Sequence, residues 1–528
     1  MRVPSAVAGA AVVAGLLTAI IRYLGLEGFS NDHFQHLAAA QQMLLGEWPT
    51  RDFADPGMPL MYAASAAAQV VFGRSLFAEA MLMAIAYGLT SALLVIGAWR
   101  ASRSLAIAVL ACALCVVAFP LPASYPRALL YALGPLAIWA WARKPTALRL
   151  FAIALLVGVA YLFRQEHGVN LGLAALVTVA LAPGETRVMK TRLVTLVALI
   201  VLVLLPYAMY IQRSQGIFSA ISSSWEFSQR EADRTALRLG AYGSGDAVRL
   251  FYFFHALPLI AAAVVVLDVR RGRIEDALTG TPLAVLAFLA NMNFLREPLP
   301  VHLPDAIVPA ALVATWLAGR AVRMPSLPLR SIALTGSAVV MFVAASSVVV
   351  VGRAQENAAR TNLSLGLSSL PQLLRDRTVQ LKARYDRRQL PDGRILSLVG
   401  LFDYLDRCTT PSHRLLVAGN APELYVYAQR PFAAGHSTFL EGYYQSEAEQ
   451  QRMLDRTEQQ VVAFAVMLSD QESSFRSTAP GVSGFVDANF RPLTEIPASG
   501  GDRTVRVLVR SGLPPVHADP ATGWPCYR

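Results

Sequence analysis

Uncharged apolar runs of near membrane-spanning length recur from residue 5 to residue 351, and they leave this chain few ways to fold. A bilayer core asks for about 20 apolar residues per helical crossing. Runs at 5–24, 76–98, 104–121, 128–142, 148–163, 167–182, 193–212, 249–267, 278–294, 303–319 and 331–351 approach or meet that length. They predict about eleven transmembrane helices. Composition agrees: 55% of the 528 residues are hydrophobic and 15% charged, where a soluble domain carries about a quarter charged. The first run is too long for a signal peptide and lacks a small-residue cleavage site, so it reads as a retained anchor.

The net charge of +11 does not point to nucleic acid, because the basic residues form short clusters between apolar runs rather than one face. Arg100/Arg103, Arg143/Lys144/Arg149, Arg187/Lys190/Arg192, Arg270/Arg271/Arg273 and Arg320/Arg323/Arg330 fall on alternate turns. By the positive-inside rule those turns and the N-terminus are cytoplasmic. The opposite turns are longer, mixed in charge and aromatic, and belong to the outer face.

An odd number of crossings sends the chain after residue 351 to that outer face, which divides it into a membrane domain, 1–351, and an extracytoplasmic domain, 352–528. Segments 368–388 and 394–407 read as amphipathic helices, and 414–420, 461–468 and 504–510 as strands. A strand, a Gly419-Asn420 turn and a helix over 422–429 suggest a small α/β domain. An outer location permits a disulfide between Cys408 and Cys526, whereas Cys112 and Cys115 read as packing residues inside an apolar run.

The first outer loop concentrates the chemistry. It holds Asn31-Asp32-His33 and His36, then Trp48-Pro-Thr-Arg51-Asp52-Phe-Ala-Asp55-Pro-Gly-Met-Pro59. Carboxylates beside a bilayer span are costly and rarely serve packing. Segment 30–46 predicts a helix lying along the membrane, capped near Ser30 or Asn31, ended by Gly46, with Phe34, Leu37, Ala38, Met43 and Leu44 as its apolar face. Asp32 in its first turn has a plain alternative role, favouring the helix dipole. Asp55 precedes proline and has the signature of a turn residue.

Gly46, Pro49, Arg51, Asp52 and Phe53, followed by Gly57, Pro59 and Tyr62, make the loop resemble that of GT-C superfold membrane glycosyltransferases. The similarity is to the bacterial branch related to protein O-mannosyltransferases and the lipid A aminoarabinose transferase. The chain departs from that pattern at Thr50, where an aromatic is usual, and at Asn31-Asp32-His33, where two adjacent acids are usual. The resemblance implies a multi-pass protein of the bacterial inner membrane that moves a sugar from a polyprenyl-phosphate donor to an envelope glycan, lipid or protein acceptor. It casts Asp32 as general base and Asp52 as the group that positions the acceptor or shares a divalent cation, magnesium or manganese. No cofactor is otherwise implied.

Transfer from a lipid phosphate also needs cations near the leaving group. Arg164 and Glu166 interrupt two apolar runs on the outer face, either as a self-satisfying ion pair or with Arg164 free to meet a phosphate through its planar fork of donors. Arg296 is a second phosphate candidate, His302 a candidate for orienting donor or acceptor, and Arg51 and Asp55 further substrate-binding candidates. Tyr125, Arg127 and Tyr131 are candidates for an acceptor groove, or ordinary interfacial residues. Segment 225–238 predicts an outer amphipathic helix with Trp225 as interfacial anchor.

A secondary transporter or lipid flippase with a periplasmic cap is the rival class. Transporters carry internal repeats and broken spans with acids at mid-membrane, and neither is visible here. No Gly-rich phosphate loop and no zinc-like Cys/His spacing occurs in the sequence.

Overall fold

The computed structural model describes residues 3–26, 29–118, 122–234, 245–296, 300–383, 394–440, 443, 446–497 and 504–528. They form two compact units, one assembled from Met1–Leu26, Ala80–Tyr210 and Glu231–Leu374, the other from Glu27–Glu79, Ile211–Arg230 and Arg375–Arg528.

The first unit is helical. Six described helices that belong to it wholly or largely are long and apolar enough to cross a membrane: Ser5–Leu24, Leu76–Ser102, Thr186–Ser214, Gly245–Arg270, Leu303–Val322 and Leu327–Val351. The remaining predicted runs appear as shorter or more polar helices, among them Leu105–Ala118, Tyr125–Arg143, Ala147–Phe163, Gln165–Leu181 and Ile274–Arg296. The chain is a multi-pass helical membrane protein, with six crossings carried by length and composition where about eleven were expected.

Small residues bring the first helices close. A Cβ placed on Gly88 would lie 2.9 Å from the Gly15 carbonyl oxygen, and one on Gly15 would lie 3.0 Å from that of Gly88. The Thr18 hydroxyl sits beside this crossing, donating to the Ala14 carbonyl at 2.7 Å and lying within hydrogen-bond distance of Ser91 Oγ at 2.9 Å. In an apolar medium such close backbone approach and interhelical hydrogen bonding hold spans together.

The second unit is built on a four-stranded sheet: β1 (Arg414–Ala418), β2 (Val462–Leu468), β3 (Phe490–Pro497) and β4 (Thr504–Arg510). The order is β1-β2-β4-β3, with β1 parallel to β2 and the other pairs antiparallel. The expected strands at 414–420, 461–468 and 504–510 are present. Strand β3 was not expected. Its Pro492 and Pro497 argue against a central strand, but β3 is an edge strand bonded only to β4, with an irregularity between Pro492 and Thr494, and proline is tolerated there. Leu416, Phe439, Met453, Ala465, Phe475 and Val486 fill the core beneath the sheet.

Helix Asn31–Leu44 belongs to this unit, as predicted in extent, and Gly46 follows it with φ +89°. The face assigned to the membrane is instead partly taken up by protein. Phe34 is fully buried with its ring 5.6 Å from that of Tyr427, and Gln42 Nε2 donates to the Phe432 carbonyl at 3.1 Å. The helix predicted over 225–238 begins earlier, at Ile217, and runs to Arg234. Phe218, Ile221 and Trp225 are exposed along one side of it, as in a helix lying in an interface. Residues 235–238 of that prediction lie outside the described residues.

Candidate functional site

Asp32 stands in the first turn of helix Asn31–Leu44, exposed, and makes no hydrogen bond or ion pair with any described residue. The next residue does the opposite. His33 is completely buried, its Nε2 2.8 Å from Glu79 Oε1, and the same carboxylate oxygen accepts from Ser65 Oγ at 3.1 Å. Glu79 is also completely buried. The pair ties the start of the Asp32 helix to the first turn of helix Leu76–Ser102, and Ser65 adds helix Pro59–Phe72 to the same point. Phe29 packs on His33 with ring centroids 4.6 Å apart.

The two later aspartates of the loop are engaged locally. Asp52 accepts from Trp48 N at 2.7 Å and from Arg51 Nη2 at 2.6 Å, so both its oxygens and the Arg51 guanidinium are spent on their own turn. Asp55 Oδ1 accepts from Gly57 N and Met58 N, each at 2.8 Å, which is the turn geometry expected of an Asp-Pro step. Burial raises the Asp55 carboxyl to about 6, against the opposing pull of these backbone donors.

Further bonds fix the loop on the sheet domain. Ala54 N donates to the Gly435 carbonyl at 3.0 Å, Arg456 Nη2 to the Arg51 carbonyl at 2.9 Å, and Arg414 pairs with Glu47. The Phe53 ring meets Phe432 edge-on at 5.6 Å.

The other unit holds Arg164 and Glu166. Glu166 Oε1 is shared: Arg127 Nη2 lies 3.0 Å away, Arg164 Nε 3.3 Å and His167 Nδ1 3.7 Å. Arg127 also faces Asp305 at 3.8 Å. Tyr131 and Asn170 extend the network, with Asn170 Nδ2 donating to the Tyr131 hydroxyl at 2.8 Å. Asp305 is buried, at 2% side-chain exposure, and Arg127 is only partly exposed at 13%, whereas Arg164 is 42% exposed. Arg164 therefore keeps donors free of its partner. Arg296 closes helix Ile274–Arg296 and His302 sits in a 3-10 turn, Pro300–Ala306; their side chains lie outside the described residues.

Glu79, Ser65, Asp305 and Asn170 were not among the sequence candidates. Glu79 and Asp305 each stood inside or at the edge of a run read as an uninterrupted span, and a lone acid in such a run was the available signal. Among the described residues, the one group of three ligand-type side chains close enough to hold a metal is Cys408, Asp519 and Cys526, and its two thiols are joined in a disulfide.

No family profile matches the chain, and no curated protein matches it. Solved structures do. ArnT from Cupriavidus metallidurans bound to undecaprenyl phosphate superposes with a TM-score of 0.51 at 15% identity, over 94% of this chain and 97% of that one. The apo state of the same protein gives 0.48 at 15% identity, over 95% and 98%. The chain thus shares the overall fold of that structure, helical and polytopic with a C-terminal α/β domain, as the apolar runs and the composition of the tail predict.

Proposed function

We propose that the chain is a membrane glycosyltransferase that moves a sugar from a polyprenyl-phosphate donor to a hydroxyl-bearing acceptor of the cell envelope, with Asp32 as general base. One observation carries the assignment of the base. Of the loop's three aspartates, Asp32 alone keeps an exposed carboxylate with no described partner, on a helix start anchored by the buried His33–Glu79 contact. A base must hold free lone pairs in a fixed place. Asp52 and Asp55 have given theirs to their own turns, which leaves them supporting the loop.

In the reaction the acceptor hydroxyl passes its proton to Asp32 as its oxygen attacks the anomeric carbon. The carbon–oxygen bond to the donor phosphate breaks, and polyprenyl phosphate leaves with the electron pair. Donors beside that departing charge lower the barrier. Arg164, with free donors and its neighbour Arg127 held by two carboxylates, is the proposed source, and Arg296 and His302 are proposed alongside it. The fold shared with ArnT, crystallised with undecaprenyl phosphate, supports the choice of a lipid-linked donor. The outer face is supported by the charge alternation along the chain and by the Cys408–Cys526 bridge, a bond of oxidising compartments. The bacterial inner membrane is the proposed location.

Asp32→Asn tests the reading. Purified variant should insert and melt like wild type yet release polyprenyl phosphate from a labelled donor at least about 10²-fold more slowly. Undiminished release would remove Asp32 from the mechanism.

A further inference from the structure

A cavity of about 530 Å³ lies within the unit that carries the C-terminal sheet, with neither Asp32 nor its anchors in its lining. That size falls in the range of small-molecule sites. Charge does not define it. Arg430, the buried cation of its wall, faces Asp406 at 3.7 Å and gives further donors to Thr409 Oγ1 and to the Leu405 and Thr409 carbonyls. Arg528 Nη1 donates to the Asp406 carbonyl at 3.3 Å, and Lys382 Nζ rests over the Phe77 ring at 4.8 Å. Arg74 is the fourth cation, at an exposed position.

What the wall offers instead is neutral hydrogen-bonding capacity. Gln41 and Gln69 reach it from helices Asn31–Leu44 and Pro59–Phe72, and Gln429 from the residue that follows helix Glu423–Ala428. None of these carboxamides, nor the Ser75 hydroxyl in the same wall, bonds to a described residue. Each carboxamide brings two donors and an acceptor to one point. Buried Leu37 and Leu76 add apolar surface to the lining.

Gln429 carries a second signal. It caps its helix at φ +52° and ψ +40°, in the left-handed region that glycine and asparagine normally take. Its side chain makes no bond within that turn, so the strain has no return there. Residues held in such conformations gather at binding sites.

We propose that this cavity binds a saccharide. Sugar hydroxyls donate and accept at once, which suits carboxamides, and sugar C–H faces pack on aliphatic side chains. A phosphate asks for donors alone and would leave the three amide oxygens without a partner. The site does not rest on the transfer scheme above, and none of its residues takes part in that scheme.

The test uses the full chain in a detergent without a sugar headgroup, with chitobiose, cellobiose or mannobiose as probe. Saturation-transfer NMR from protein to sugar protons and the melting temperature are the readouts. At least one disaccharide should take up saturation and raise the melting temperature, and glycerol at equal concentration should do neither. Gln41→Leu/Gln69→Leu should raise the apparent Kd of that disaccharide about tenfold or more. Gln429→Gly should weaken binding likewise, yet melt no lower than wild type without sugar, since glycine relieves the left-handed cap. Asp32→Asn, which tests the transfer reading, should bind the sugar as wild type does, so the two readings fail separately. A disaccharide held equally by wild type and both glutamine variants sits elsewhere and overturns the proposal. So does a wild type that answers to inorganic phosphate but to none of the three sugars, or to no probe at all.

Discussion

Burial holds the Asp55 carboxyl near 6 even though two backbone N–H groups point at it, so desolvation outweighs hydrogen bonding at this turn. An acid whose folded pKa is raised binds its proton more tightly folded than unfolded. Its contribution to stability therefore grows as pH falls through about 6 towards the ordinary value of 3.8. His436 works against it. Burial, with Arg456 and Arg452 nearby, lowers that imidazole to about 3, so stability is lost as pH falls through the ordinary histidine range. A melting curve of wild type alone mixes the two effects. The melting temperature of wild type minus that of Asp55→Asn should rise steadily from pH 7 to pH 4.5, since asparagine keeps the turn's acceptor and cannot titrate. A flat difference would show that Asp55 is ionised throughout. The sequence marked Asp55 as a turn residue through its proline, but it gave no sign that Asp52 would be closed by its neighbour Arg51, because that contact depends on the loop's path.

Elements were legible wherever periodicity spoke for itself. The helix at Asn31–Leu44, the strands beginning at Arg414, Val462 and Thr504, and the long apolar helices follow from pattern alone. Strand β3 was hidden because its prolines are excluded only from strands bonded on both sides, and edge position is a property of the sheet rather than of the segment. The Gly15–Gly88 crossing was hidden for a like reason. Each glycine alone looks like any glycine in an apolar run, and only the pairing of two helices gives it meaning. Any side chain at position 88 meets backbone rather than a movable side chain. Gly88→Val should therefore force the helices apart and cost about 1–3 kcal/mol, read as a lower melting temperature and lower yield of the purified protein. Gly9→Val, where a Cβ meets nothing within 4 Å, is the matched control and should leave both unchanged.

Long-range pairing is where sequence reading of the whole molecule was weakest and where one covalent bond makes it testable. Composition and charge alternation placed a polar tail beyond the last span, but not the packing of loop 45–59 on that tail through Ala54–Gly435, Arg51–Arg456 and Glu47–Arg414. Contacts between residues hundreds of positions apart leave no local signature. The cysteines were an exception, since two thiols in an outer tail invite pairing, and Cys408–Cys526 is formed across 118 residues. The bridge sits in a clasp of weaker bonds. Tyr527 N donates to the Cys408 carbonyl at 2.8 Å, Arg407 pairs with Asp519 at 3.0 Å, and the Arg407 guanidinium holds the Asp519 carboxyl down at about 2. The noncovalent bonds can re-form only if the end of the chain stays near helix Arg394–Cys408, and the disulfide ensures that it does. Closing a loop of this length is worth about 2–5 kcal/mol, chiefly through the unfolded chain. Cys526→Ser should lower stability by that amount, and limited proteolysis of the variant should cut first between residues 511 and 524. Wild type treated with reductant should show the same early cuts, and oxidised wild type should not. If reduction leaves the digestion pattern unchanged, the clasp holds without its covalent bond.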